Sequence, residues 1–96
     1  MKVSEARVRF QESSGRLHAV EVTRSNSRPI ISALHRTLFA VGVVITSYRV
    51  QATTGGLHER MELASMSGEA LTDHQSEQVR AVTIPLAWDG ATDNSS

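Results

Sequence analysis

The chain has 96 residues, with ten basic side chains against ten acidic ones, 40% apolar residues and 21% charged. It reads as one small domain with a thin core, because a chain this short buries only about 60–65% of its unfolded surface. Charge balance excludes a partner held by bulk electrostatics, such as duplex DNA or an anionic membrane surface, and the lack of cysteine excludes disulfides, thiolate nucleophiles and thiolate-bound zinc.

The first segment alternates: Ala6, Val8 and Phe10 share one side, Glu5, Arg7, Arg9 and Gln11 the other, the period of a half-buried strand. Ser13-Ser14-Gly15 marks a turn, and Leu17, Ala19, Val20 and Val22 form a second strand, apolar on both faces near its middle. The two are expected to pair as an antiparallel hairpin, Glu5–Gln11 against Leu17–Thr23.

Ser25 to Pro29 ends that strand and opens a helix, with Ser27 as its cap and Pro29 in its first turn. Ile30, Ile31, Leu34, Leu38 and Val41 then recur at three- and four-residue spacing, and Gly42 is placed to close the helix in a left-handed cap. A strand follows over Val43–Thr54, with Ile45, Tyr48, Val50 and Ala52 as its buried members and a bulge between Ile45 and Tyr48. Gly55-Gly56 reads as a hairpin turn, and Leu57–Ala64 as a strand with Met61 and Leu63 inside and His58, Arg60 and Glu62 outside.

Thr72…Gln75 has the spacing of a capping box. The helix it opens gathers Leu71, Val79, Val82 and Leu86 on one side, and Pro85 is expected to kink or end it. Residues 1–88 form the domain on this reading, and the polar stretch Asp89–Ser96 a disordered tail. The order strand, strand, helix, strand, strand, helix with short links predicts an α+β sandwich of ferredoxin-like type. Its four-stranded antiparallel sheet carries both helices on one face and places the Leu17 strand beside the Leu57 strand.

Val20-Glu21-Val22, the turn Asn26-Ser27-Arg28-Pro29-Ile30-Ile31, Leu34…Leu38…Val41-Gly42-Val43-Val44-Ile45, Tyr48 to Thr53 and Met61-Glu62-Leu63 together resemble an ACT domain, nearest in flavour to those of nitrogen-regulatory uridylyltransferases. That family places a final strand after the second helix. Ala87–Ser96 cannot supply it, and the extra first strand is expected to take the vacant edge. The resemblance implies a non-catalytic regulatory domain that binds a small effector, an amino acid or related metabolite, at a homodimer interface. The implied ligand-binding residues are Asn26, Ser27, Arg28 and Ile30 near the helix start and Val44, Ile45 and Thr46 on the next strand. A helix N-terminus with free amides suits a carboxylate. Ile30 and Val44 replace the glycine and the Asn or Asp common in the family with bulk. They favour the alternative, a ligand-free dimerisation or protein-interaction module using Ile31, Leu34, Phe39 and the edge of the Leu57–Ala64 strand.

Other chemistry finds little support. His18, His35, His58 and His74 fall on different elements without ligand spacing, so no metal is expected, nor any cofactor. Glu59 and Glu62 lie on opposite faces of an alternating strand and cannot act as paired acids. Phe10, Phe39, Tyr48 and Trp88 are scattered over four elements, which speaks against stacking of RNA bases. No apolar run approaches the roughly 20 residues that span a bilayer, and no signal-peptide pattern is visible, so a cytoplasmic protein with no nucleic-acid or membrane partner is expected.

Overall fold

In a computed structural model the described residues are 6–25 and 28–92, with 89–92 described by their backbone alone. They form β1 (Ala6–Ser13), β2 (Arg16–Arg24), α1 (Ile31–Phe39), β3 (Val43–Thr53), β4 (Gly56–Ser65) and α2 (Asp73–Thr92). The four strands make one antiparallel sheet in the spatial order β1-β2-β4-β3. The expected hairpin is present, with Val8 opposite Val22 and Phe10 opposite Val20. Glu5, assigned to its first strand, lies outside the described residues. β2 pairs with β4, and β3 bulges between Ile45 and Ser47 as its spacing predicts.

Both helices cover one side. α1 packs on β3, α2 packs on β1 and β2, and the helices touch each other. Val20, Val22, Met61 and Leu63 from the sheet meet Leu34, Leu38 and Val79 from the helices in one buried cluster. Leu34 and Leu38 are fully buried, each contributing about 2 kcal/mol of hydrophobic stabilisation. α2 is strapped to β1 by Arg80, which reaches Glu12 and lies 5.1 Å over the Phe10 ring. The capping box is formed: the Gln75 amide donates to Thr72 Oγ1 at 3.0 Å, and the Thr72 amide to Gln75 Oε1 at 3.0 Å. Gln75 Nε2 also donates to the carbonyl of Gly42 at 3.1 Å, tying the start of α2 to the end of α1, where Gly42 has the expected positive φ of 81°.

Six expectations are corrected. α1 starts later than its apolar stripe, with Ile30 at the cap position and no side-chain cap; Ser27, expected there, lies outside the described residues. The β3–β4 turn is Thr54-Gly55, and Gly56 is already a strand residue opposite Thr53. Val50 is 47% exposed and Ala52 is exposed as well, because the nine-residue α1 is about 13 Å long and cannot cover an eleven-residue strand. α2 runs through Pro85 to Thr92, since losing one backbone donor does not outweigh the burial of Ala87 and the packing of Leu86. Residues 89–92, expected to be disordered, thus continue the helix, and 93–96 lie outside the described residues. β4, expected to offer an open edge, is interior; the free edges belong to β1 and β3.

Candidate functional site

Side chains alternate across a strand, so Val20, Val22 and Arg24 of β2 share the helix-covered side with Glu59 and Met61 of β4. Two opposite charges are therefore carried into the interior at the end of the sheet where α1 begins. Glu59 is 1% exposed and Arg24 3%. The Glu59 carboxylate accepts from the Ile30 amide at 3.2 and 3.1 Å and from the Tyr48 hydroxyl at 2.9 Å. This carboxylate does at α1 what a capping side chain does elsewhere, placing negative charge against the free first-turn amides.

Arg24 is held differently. Its Nε and Nη1 atoms are buried without a hydrogen-bond partner. Burial draws the guanidinium below its usual pKa; the Glu59 charge opposes this and the Arg28 charge adds to it. Burial also pushes the Tyr48 phenol up to about 12, assisted by its hydrogen bond to Glu59 and by that carboxylate's charge. A phenol raised from its ordinary value near 10 contributes stability that is complete below pH 10 and is lost as pH climbs through about 12. Urea unfolding of the protein and of Tyr48→Phe between pH 9 and 11.5 is expected to show the alkaline loss of stability flattened in the variant.

Arg24 borders a cavity of about 480 Å³ whose other walls are Ala6, Arg7, Thr23, Ser25, Thr53, Gly55 and Trp88. This lies within the size range of small-molecule sites. Gly56, next in the chain to the lining residue Gly55, packs against the backbone of Arg24. A Cβ there would overlap the Arg24 carbonyl oxygen and come within 2.8 Å of the carbonyl carbons of Arg24 and Ser25, so only glycine lets the β3–β4 hairpin approach this closely. A smaller hollow of about 170 Å³ lies on the opposite, open side of the sheet, between Arg49, Val50, Gln51, His58 and Arg60.

Of the residues expected to bind a ligand, Asn26 and Ser27 lie outside the described residues. Arg28 is exposed and close enough to Arg24 for their charges to interact. Ile30 is 6% exposed, and its amide, which a ligand carboxylate would have used, is engaged by Glu59. Val44 and Ile45 are half-buried, and Thr46 is the exposed bulge residue, its hydroxyl donating to the Glu62 carbonyl at 3.3 Å. These three sit where β3 begins, at the far end of α1 from Arg28 and Ile30, so one chain does not bring the two groups together.

Arg24, Glu59 and Trp88 were not among the expected site residues. Strand parity was the available signal: it puts Arg24 on the Val22 side and Glu59 on the Met61 side. Among the described residues no three His, Asp or Glu side chains cluster as a metal site, and no helix is long and apolar enough to cross a membrane.

No family model, curated protein or solved structure matches the chain. The functional reading therefore rests on the chemistry of the site.

Proposed function

We propose that the chain is a non-catalytic regulatory domain of ferredoxin-like, ACT-like architecture, cytoplasmic and dimeric, that binds a small effector of the amino-acid class. The sheet order β1-β2-β4-β3 supports the architecture: it is the order such a core takes when its last strand is moved to the front of the chain. The observation that carries the function is the cavity at the β2–α1 junction with the buried, incompletely bonded Arg24 in its wall. Arg24 lies two residues before the Asn26-Ser27-Arg28 segment that the family resemblance assigns to the ligand.

Trp88 is the only tryptophan and lines this cavity. Its fluorescence, read with isothermal calorimetry against the twenty amino acids singly, is expected to change saturably with at least one of them. No heat and no fluorescence change from any of the twenty would end the effector reading.

The second reading, a ligand-free assembly module, is favoured by the free edge of β3, where Val50 is 47% exposed, and by Phe39, which is 52% exposed on α1 and stacked on His35 at 5.9 Å. It places strand addition on β3. A dimer in sedimentation that Val50→Lys dissociates, together with silence in the calorimetry, would select it.

A further inference from the structure

We infer that the free edge of β3 pairs with β3 of a second copy of this chain, antiparallel about a twofold axis at Val50, so that two sheets join into one of eight strands. The inference gives the dimeric part of the proposed function its surface and rests on it. Among the described residues the sheet ends in β1 and β3, and an edge strand leaves every second amide and carbonyl without a ladder partner. The two-residue β3–β4 turn closes on the Thr53–Gly56 pair, so Thr53, Gln51 and Arg49 bond to β4 while the amides and carbonyls of Ala52, Val50 and Tyr48 point outward. The same stretch is bare on the helix side, where Val50 is 47% exposed and Ala52 is exposed beyond the reach of α1. Residues 47–53 follow the bulge in regular register and run about 23 Å.

Charge and packing select the register. An axis at residue 49 sets the two Arg49 side chains against each other, and one at residue 48 runs the pairing across the bulge. An axis at residue 51 leaves only residues 49–53 in contact. Centred on Val50, the pairs are Val50 with Val50, Tyr48 with Ala52, Arg49 with Gln51 and Ser47 with Thr53, all within the regular stretch. The outward-pointing pairs then exchange two hydrogen bonds each, and the exposed Val50 side chains cover one another. Arg49 is the only charged residue of β3 and faces Arg60 inside its own hairpin; across the axis it gains the Gln51 carbonyl as an acceptor. The β1 edge offers no equivalent. Axes at residues 8 and 9 bring arginines together there, and one at residue 10 sets Val8 against Glu12, which Arg80 of α2 already engages. Pairing of β1 with β3 is heterologous and leaves an open edge at each end.

The test uses the whole chain, which has no cysteine of its own. Sedimentation velocity from about 5 to 500 μM is expected to show monomer and dimer in exchange, as suits a contact of small area. Val50→Lys, at a position open to solvent in the single chain, is expected to melt like the parent and to sediment as a monomer. Gln51→Glu is expected to tighten the dimer about fivefold through two cross-strand ion pairs with Arg49, and Gln51→Arg to loosen it. Register is read from Ser47→Cys, Val50→Cys and Thr53→Cys under mild oxidation. Val50→Cys meets its own copy across the axis and is expected to cross-link, whereas the other two lie about 20 Å from theirs and are expected to lag far behind. A monomer at every concentration, a dimer that Val50→Lys leaves intact, or faster cross-linking at 47 or 53 than at 50 would overturn the inference. Amino-acid binding by a chain that stays monomeric would remove this interface and keep the effector; a dimer centred on Val50 with silent calorimetry would do the reverse.

Discussion

Glu59→Ala is expected to destabilise the fold by about 3–5 kcal/mol, since each buried donor that loses its acceptor costs about 1–3 kcal/mol and a nearby buried cation loses an opposing charge as well. Three losses coincide at one position. The Ile30 amide and the Tyr48 hydroxyl are left without their acceptor, and Arg24 loses the opposing charge of Glu59. A small domain holds roughly 5–15 kcal/mol in total, so much of its stability is at stake. Glu59→Gln keeps a carbonyl oxygen for the donors and is expected to cost about half as much. The double change Arg24→Met with Glu59→Leu is expected to be more stable than Glu59→Ala, because it removes both buried charges together. Urea midpoints for the four proteins check this; a Glu59→Ala cost below about 1 kcal/mol would show that the carboxylate is not the joint between sheet and helix.

Gly56→Ala is expected to cost about 2–3 kcal/mol, at the upper end for forcing extra volume into a packed site. The obstruction is backbone: the new methyl would meet the carbonyl of Arg24 and the carbonyl carbon of Ser25, neither of which can rotate away. The neighbouring Gly55 has nothing within 4 Å of a Cβ and no positive φ, so Gly55→Ala is expected to stay within about 0.5 kcal/mol of the parent. Gly56→Ala is also expected to weaken effector binding, since it moves the hairpin that walls the cavity. Equal urea midpoints for the two alanine variants would contradict the close approach.

What was legible in the sequence was what local spacing encodes. The β1–β2 hairpin, the Leu34–Leu38 stripe of α1, the β3 bulge and the Thr72–Gln75 capping box follow from alternation, helical period and three-residue spacing, and all are found. What was missed depends on partners distant in the chain. Gly56 reads as a turn residue, and its need arises from Arg24, 32 positions earlier. Glu59 reads as one more polar strand residue, and becomes a helix cap only once β4 lies beneath the start of α1. Pro85 reads as a kink or an end, and the packing of α2 on β1 and β2 carries the helix past it. The family resemblance directs attention to the start of α1, and there to the Ile30 amide, which Glu59 already uses; the incompletely bonded group at that end of the sheet is Arg24.

The central claim is that this end of the sheet is where a ligand is received. Backbone amide chemical shifts of the nitrogen-15-labelled chain, recorded during titration with each of the twenty amino acids, test it most directly. Perturbations concentrated at Thr23, Arg24, Ser25, Gly55 and the Trp88 indole are the predicted result. Perturbations confined to Arg49, Gln51, His58 and Arg60 on the open side of the sheet, or none with any amino acid, would contradict it.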